Sequence, residues 1–462
     1  MHKVIFNGET LFASHGQLLS DLLINNGKSV EHLCGGNGLC RKCLVKVNGK
    51  TELSCRYKIL SDITVTAINN TEIFSETGAD ETGVLTKNNC YVLDIGTTTL
   101  ALALVSLDDK KIISVKTSVN PQRRFGADVI SRIDYCRNNG VKSLQEILVD
   151  EINRLIGLFD VGDNLPLFVA GNTTMLHLFW GVDCSGIGVS PYKPVFLEAQ
   201  NSNGLELGIK GVTEIISLPC ISSFVGADIV AGLNFVGLPN KGKYNILIDL
   251  GTNAEIVLFS DDNIICTAAA AGPCFEGANI SCGMSASDGA VYSFANGKAE
   301  TINNKQPKGI CGTGLVDIIA YLLENDFVDE SGYMECEKFD ISDGVFITQE
   351  DVRQYQLAKS AVFSAVATLL KIKEINFLDI DKVFISGGFS AEINIDSAVK
   401  TGVLPFEFKN KCVCVNNSSL LGAVKFAVEN NNLSEFINKA EYVDLSLNKD
   451  FADMFIENMM FE

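Results

Sequence analysis

Apolar and polar positions fall into short runs at the start of the chain. Residues 3 to 6 and 9 to 12 are apolar-rich and flank Asn7-Gly8, a dipeptide that supplies the positive φ of a tight hairpin, which predicts two paired strands. Leu18, Leu19, Leu22 and Leu23 then recur at helical spacing between Gly16 and Asn26, with Gly27 as the stop. A second Asn-Gly, Asn48-Gly49, joins residues 44 to 47 to residues 51 to 53, and residues 63 to 68 supply a last strand. Residues 69 to 89, rich in Thr, Asn and Gly and without sustained apolar periodicity, read as a linker. Beyond it the pattern repeats. Tyr91-Val92-Leu93-Asp94-Ile95-Gly96-Thr97-Thr98-Thr99 returns as Ile246-Leu247-Ile248-Asp249-Leu250-Gly251-Thr252-Asn253-Ala254-Glu255, each predicting strand, turn, strand. A second echo sets Leu167-Phe168-Val169-Ala170-Gly171-Asn172 against Val383-Phe384-Ile385-Ser386-Gly387-Gly388, an apolar strand ending at small residues before a helix. Such duplication predicts two similar lobes facing across a cleft.

Composition narrows the setting. A chain of 462 residues with 47% hydrophobic content has material for several cores. A formal net charge of -19, from 56 Asp and Glu against 37 Lys and Arg, argues against a nucleic-acid partner, which needs a basic footprint. The N-terminal residues lack the charged start and apolar core of a signal peptide, so the 15 cysteines are expected in a reducing cytoplasm, free or bound to metal. No uncharged apolar run approaches the roughly 20 residues that span a bilayer, and no membrane partner is expected.

Four of the cysteines carry a pattern. Cys34, Cys40, Cys43 and Cys55 give C-x5-C-x2-C-x11-C, and four thiolates suit two irons. Gly35, Gly36 and Gly38 let backbone N–H groups of the loop approach sulfur. With the surrounding strands and helix this is the element order of a β-grasp ferredoxin, and a [2Fe-2S] cluster is expected. The spacing differs by one residue from the plant type; it resembles the longer-loop ferredoxins, and the short return resembles the iron-sulfur subunit of succinate dehydrogenases. Arg41 stands where many such loops carry Gly. A zinc knuckle pairs two short C-x2-C units, and only Cys40 and Cys43 form one here. Cys412 and Cys414 would share one side of a strand. Cys90, Cys136, Cys184, Cys220, Cys266, Cys274, Cys282, Cys311 and Cys336 lie among apolar residues and read as small hydrophobes.

The repeated hairpins carry different chemistry. An Asp at the turn entrance can hold hydrated Mg2+, Gly lets the backbone approach a phosphate, and Thr adds a hydroxyl and an N–H. One copy would only be a hairpin turn, which needs Asp and Gly for conformational reasons; two copies in equivalent settings are a stronger signal. A P-loop is excluded by pattern, since Gly309-Ile310-Cys311-Gly312-Thr313-Gly314 lacks the Lys; residues 312 to 319 are expected to start a helix packed between the lobes. The paired motifs resemble the phosphate-binding hairpins of the actin, sugar-kinase and heat-shock chaperone superfamily, and residues 385 to 389 resemble its adenosine motif. Gly171-Asn172-Thr173-Thr174-Met175-Leu176-His177, Phe224-Val225-Gly226-Ala227-Asp228, Ala271-Gly272-Pro273-Cys274-Phe275-Glu276-Gly277-Ala278, Gln356-Leu357-Ala358-Lys359, Asn120-Pro121-Gln122 and residues 125 to 132 resemble the reductive activators of corrinoid-dependent proteins. That resemblance covers nearly the whole chain and has the same domain order. Cys274, Ala254, Ser386 and Ser390 depart from the residues common at those positions.

The expected fold is therefore α/β multidomain: a β-grasp [2Fe-2S] ferredoxin domain over 1–68, a linker over 69–89, and a two-lobed actin-like (ASKHA, ribonuclease H-like) ATPase domain over 90–462 with lobes near 90–240 and 241–462. The separate middle domain of larger family members is expected to be absent. The resemblance implies ATP and Mg2+ as cofactors, with Asp94 and Asp249 organising Mg2+ and water and Asp249 or Glu255 orienting the attacking water. It implies Gly96, Thr97, Thr98, Gly251, Thr252 and Asn253 around the phosphates and Gly387 and Gly388 at the nucleoside. The implied activity is ATP-dependent return of an electron to Co(II) in a corrinoid protein, supplied by an upstream low-potential donor, with a homodimeric body. Competing readings are a donor to another low-potential enzyme, a small-molecule kinase with a regulatory cluster, or a chaperone-like ATPase. His177, amid apolar residues, reads as a packed helix histidine rather than a corrinoid ligand, and Arg123 and Arg124 as an exposed basic pair.

Overall fold

The computed structural model describes residues 1–26, 28, 43–67, 81–161, 164–388 and 393–461. Its first unit is a five-stranded sheet of β1 (His2–Phe6), β2 (Glu9–Ala13), β3 (Leu44–Val47), β4 (Lys50–Leu53) and β5 (Ile63–Ala67), in the order β2-β1-β5-β3-β4. The β1–β5 pair is parallel and its other neighbours antiparallel, with α1 (Leu19–Asn25) the one helix described in this unit. Both Asn-Gly turns have the predicted left-handed pair, φ 47° and 91° at Asn7 and Gly8 and 48° and 84° at Asn48 and Gly49. Period-two burial puts Val4, Phe6, Val45, Val47 and Val65 in one core with Leu19, Leu22 and Leu23 of the helix. The helix begins three residues later than its apolar spacing suggests. Gly16 takes φ 79° and donates its N–H to the Ile59 carbonyl at 2.8 Å, so the backbone there serves the neighbouring loop before turning helical.

Residues 81 to 88 are not free of the body that follows. Gly83 donates to the Ile112 carbonyl at 2.8 Å and Val115 donates to the Glu81 carboxylate at 3.2 Å, which fastens this stretch of the expected linker to an edge strand. Residues 69 to 80 of that linker lie outside the described residues.

The first lobe is built on β6 (Asn89–Ile95), β7 (Thr99–Ser106), β8 (Lys111–Val119), β9 (Leu165–Gly171), β10 (Gln200–Asn203) and β11 (Val212–Ser217), in the order β10-β11-β9-β6-β7-β8. It carries α2 (Val129–Asn139), α3 (Lys142–Ile156), α4 (Thr173–Trp180), the short α5 (Gly204–Leu207) and α6 (Ala227–Val236). The second lobe opens with β12 (Tyr244–Leu250), β13 (Ala254–Phe259) and β14 (Ile264–Ala269). An excursion follows: β15 (Ala290–Ala295), β16 (Lys298–Thr301), β17 (Gly309–Ile310), α7 (Gly312–Glu324), β18 (Lys338–Ser342), β19 (Val345–Thr348) and α8 (Gln349–Ile372). The chain returns through β20 (Ile380–Ser386), α9 (Ile395–Lys400), β21 (Cys412–Cys414), α10 (Ser418–Glu429), α11 (Ser434–Lys439), β22 (Ala440–Tyr442) and α12 (Lys449–Glu457). The second main sheet runs β21-β20-β12-β13-β14-β22. Both sequence echoes thus land on matching positions: β6 and β12 each pair antiparallel with the strand that follows, and parallel with β9 and β20 respectively.

Two helices join the lobes. α6 ends the first lobe and α10 sits near the end of the second, and they pack on each other, α10 also lying against β6 and β9. One apolar core therefore runs from Leu93 and Val169 through Ile229, Leu420 and Ala423 to Leu247 and Val257. The helices approach so closely that a Cβ on Gly422 would lie 1.7 Å from the Ala231 carbonyl oxygen. Gly422→Ala is expected to destabilise the protein by about 1–3 kcal/mol, as overpacking against rigid backbone does. Gly232→Ala, whose Cβ would first meet the Ser418 hydroxyl at 2.9 Å, should lose less; thermal unfolding of both variants checks the order. The helix start at Gly312 is tight too, but within the second lobe rather than between lobes: Cβ atoms on Gly312 and Gly314 would meet the carbonyls of Phe275 and Val291 at 1.9 and 2.1 Å.

Candidate functional site

The turns of the two hairpins face one cleft, and one carboxylate marks each. Asp94, at the end of β6, accepts from Asn417 Nδ2 at 3.0 Å and from the Ser419 hydroxyl at 2.7 Å. Both donors belong to the N-terminal turn of α10, so the first hairpin is bonded to the second lobe. Asn417 holds φ 34°, a left-handed conformation that Asn tolerates better than most residues, and its side chain also caps the helix by accepting from Leu420 N–H. Burial raises the Asp94 pKa, and the two donors pull it back. Asp249, at the equivalent place on β12, is pushed up to about 6 by burial, with the Ser386 hydroxyl opposing and the Asp94 charge adding to the rise. Glu255 lies opposite Asp249 across the hairpin register and is held well above its ordinary range by burial and by Asp228, Asp249 and Glu276.

Two acids without an assigned role in the sequence reading complete the cluster. Asp228, in the first turn of α6, is pushed up to about 7 by burial and by the charges of Asp249 and Asp94. Glu276 ends a short 3-10 turn, Pro273–Glu276, and accepts from the Thr252 hydroxyl at 3.0 Å and from the Thr98 hydroxyl at 3.5 Å, one donor from each hairpin. Burial raises its pKa while Thr252 and the Arg123 charge lower it. These acids are half-buried, walled by protein yet open to the cleft, and their like charges disfavour one another's ionised form. Both residues sit in segments that carried the family resemblance, which was the only signal for them. Asn417 and Ser419 had none, lying more than 300 positions from Asp94.

The first turn is braced from below. Asn120 donates to the Gly96 carbonyl at 2.8 Å through Nδ2 and to the Thr98 carbonyl at 2.8 Å through its backbone N–H. Arg132, wholly buried, donates to the Thr97 carbonyl at 2.5 Å and the Gly126 carbonyl at 3.0 Å, and burial lowers its pKa to about 9. Asn172 Nδ2 donates to the Thr97 hydroxyl at 3.1 Å while its Oδ1 caps α4. Residues 120 to 132 thus build the turn's support. Arg123 and Arg124 are half-buried rather than exposed: Arg123 directs its charge toward Glu276, and Arg124 stacks over Phe125 at 5.4 Å. In the second hairpin, Gly251 N–H donates to the Asn253 carbonyl at 2.9 Å, closing the turn around Thr252. Gly387 has φ 109°, and a Cβ there would lie 2.1 Å from the Leu250 carbonyl, whereas a Cβ on Gly388 would meet nothing within 4 Å among the described residues. Phe389 and Ser390 lie outside the described residues.

His177 is a packing residue, as expected. It is fully buried, stacks on Phe196 at 4.1 Å, bonds the Thr173 carbonyl through Nδ1 at 2.7 Å and accepts the Val195 N–H at Nε2 at 3.0 Å. Those partners fix the Nδ1–H tautomer, and burial lowers its pKa. Most of the scattered cysteines are buried; Cys282 is only partly so and Cys336 is exposed, which separates both from the small-hydrophobe reading.

Of the four cysteines in the ferredoxin pattern, Cys34 and Cys40 lie outside the described residues, as do Gly35, Gly36, Gly38 and Arg41. Cys43 and Cys55 are both buried, with their Sγ atoms 3.2 Å apart. That separation is too long for a disulfide, whose S–S bond is about 2.05 Å, and two thiols held this close fit two ligands of a single metal.

The fold and cleft define a two-lobed, actin-like architecture joined to a ferredoxin-like domain. Comparison with known families agrees. Residues 5–63 match the 2Fe-2S iron-sulfur cluster binding domain, residues 90–241 the RACo middle region, and residues 243–462 the C-terminal domain of RACo, the ASKHA domain. The chain belongs to the RACo family, the reductive activators of corrinoid-dependent proteins. It is similar to the corrinoid activation enzyme RamQ of Eubacterium limosum, 26% identical over 581 aligned positions that cover 98% of each chain. It also resembles a [Co(II) methylated amine-specific corrinoid protein] reductase of Methanosarcina barkeri, 26% identical over 76% of this chain and 72% of that one. Among solved structures it resembles a reductive activator for corrinoid, iron-sulfur protein, with TM-score 0.73 and 26% identity over 100% of this chain and 98% of that one. The match to the RACo middle region falls on the first lobe and begins at β6, the first strand of the first hairpin.

Proposed function

We propose that this protein is an ATP-dependent reductive activator that passes an electron from a [2Fe-2S] cluster to the Co(II) corrinoid of a methyltransferase-type protein, restoring Co(I). The observation that carries this reading is the placing of Asp94 and Asp249 at equivalent hairpin turns across one cleft, on a chain that also has a ferredoxin-type domain. The relatives' names supply the corrinoid substrate.

Cys34, Cys40, Cys43 and Cys55 would hold the cluster, which when bound supplies a one-electron couple near about -400 mV if it behaves as plant-type centres do. Each 59 mV of mismatch costs about tenfold in a one-electron equilibrium, so a harder-to-reduce cobalt needs an additional driving term. The two lobes offer one. Gly96, Thr97 and Thr98 from one side and Gly251, Thr252 and Asn253 from the other form the two turns that would face a phosphate chain, with the Thr98 and Thr252 hydroxyls as donors from each. Gly387 lets β20 end close against β12, and the nucleoside would lie at Gly388 beside it. Among the described residues no three His, Cys, Asp or Glu side chains are arranged to ligate one metal directly, so Mg2+ would be held through its water shell by Asp94 and Asp249, a mode this small ion favours. Asp249, Asp228 and Glu255 are the acids placed to take up a proton from an attacking water. Because Asp94 bonds the start of α10, a change at the phosphates reaches the inter-lobe helix pair directly.

The partners on this reading are the corrinoid protein, an upstream low-potential donor and a second copy of the chain. The setting is cytoplasmic; among the described residues no helix is long and apolar enough to cross a membrane. Adding a Co(II) corrinoid protein to the purified chain should raise its ATP hydrolysis several-fold. Phosphorylation of a small molecule in place of that response would support the kinase reading instead.

A further inference from the structure

We propose that Glu276 is the residue by which the cleft senses a terminal phosphate, being displaced when one binds. It reserves the two threonine hydroxyls that a terminal phosphate would need, and gives them up only to that phosphate. The inference rests on the cleft binding nucleotide, as proposed above, and goes beyond it by assigning the sensing of the terminal phosphate to a residue outside both hairpins.

The geometry is particular. A single carboxylate oxygen of Glu276 accepts from Thr252 Oγ1 at 3.0 Å and from Thr98 Oγ1 at 3.5 Å, so one anionic atom is shared by the turns of two lobes that lie 154 positions apart in sequence. The other oxygen lies 3.6 Å from the place a Cβ would take on Gly251, the glycine of the second turn. Glu276 therefore stands in the middle of the motif from which the phosphate donors come. Its chemistry matches what it holds the place of: a phosphate oxygen and a carboxylate oxygen are both anionic acceptors, and both prefer hydroxyl and N–H donors.

The carboxylate is set there by rigid parts. Gly277, directly after it, has φ 73° and no room for a Cβ, which would lie 2.1 Å from the Met284 carbonyl. Phe275, directly before it, is buried and pressed against Gly312. The backbone on both sides is thereby fixed, and the side chain alone has freedom to move. Arg123 is the cation that lowers the Glu276 pKa, and it offers the displaced carboxylate a partner. A terminal phosphate that takes Thr98 and Thr252 leaves Glu276 to Arg123; a diphosphate too short to reach both hydroxyls leaves the bridge intact. The same exchange would report the state of the terminal phosphate to both lobes at once.

The test is equilibrium binding of ADP and of a non-hydrolysable ATP analogue, each with Mg2+, to the full chain and to its Glu276→Gln and Glu276→Ala variants. Removing the competing charge should tighten the ATP analogue by about tenfold and leave ADP within about twofold, so that the ratio of the two affinities shifts. Thermal unfolding of each variant without nucleotide shows whether it is folded, and Glu276→Asp, which keeps the charge on a shorter arm, should lie between wild type and Glu276→Gln. A parallel change for both nucleotides, or weaker binding of the ATP analogue by folded Glu276→Gln and Glu276→Ala variants, would overturn the proposal and leave Glu276 a structural bridge. Failure of the wild-type chain to bind either nucleotide would instead overturn the nucleotide reading on which the proposal rests.

Discussion

Asp94→Ala and Asp249→Ala are each expected to lower ATP turnover by about 10²–10³-fold, the scale on which losing one preorganised electrostatic group in an active site operates. The visible spectrum of the cluster should stay unchanged, because neither residue belongs to the ferredoxin-like unit. The two substitutions should differ in a second respect. Asp94 accepts from Asn417 and Ser419, so removing it leaves the half-buried Asn417 amide and the buried Ser419 hydroxyl without this acceptor and should also lower the unfolding temperature. Asp249 is pushed up to about 6 mainly by its own burial, so its loss removes an unfavourable ionised group and should cost little stability near neutral pH. The linkage has a definite sign: a carboxyl whose folded pKa is raised contributes stability below its unfolded value, and that contribution is lost as pH rises through about 6. Steady-state hydrolysis and thermal melts on the same preparations separate the effects. Full hydrolysis by either variant would mean that its hairpin is structural only.

The second large effect concerns the cluster. Cys43→Ala and Cys55→Ala, purified without oxygen, should each lose most of the bound iron and acid-labile sulfide, because these two thiols sit 3.2 Å apart in the buried base of the domain and neither has a neighbouring substitute among the described residues. ATP hydrolysis measured without a corrinoid protein should be unaffected, since the cleft draws all its groups from residues 94 to 419. Electron delivery should vanish. Iron and sulfide at wild-type levels in both variants would show that the ligands lie elsewhere, and zinc in place of iron would favour the knuckle reading.

Particular residues show how much of the fold and the site is legible in the sequence. The two Asn-Gly turns, the hairpins after Asp94 and Asp249, and the strands β9 and β20 follow from local signals: positive-φ turn residues and apolar runs of strand length. What local pattern did not show was tertiary. The start of α1 moved because Gly16 bonds Ile59, a partner 43 positions away. Glu81 and Gly83 read as linker by composition, yet pair with β8. The Gly-rich helix start at Gly312 signals close packing, but its partner is Phe275 of the same lobe rather than the other lobe, since a missing Cβ does not say what approaches it. Asp228, Glu276, Asn417 and Ser419 meet the hairpins only through tertiary packing, within a lobe for the Glu276–Thr252 bond and between lobes for Asn417 and Ser419 with Asp94, and single polar side chains carry no sequence signature for that.

The central claim is that nucleotide drives an electron from this chain to cobalt. Its most direct measurement follows the Co(I) absorbance of a corrinoid protein, initially held as Co(II), mixed anaerobically with the reduced full-length chain and either ATP, a non-hydrolysable analogue or no nucleotide. The account predicts Co(I) formation with ATP, little without nucleotide, and none at all with Cys43→Ala under any condition; an equal Co(I) yield with and without ATP would contradict it.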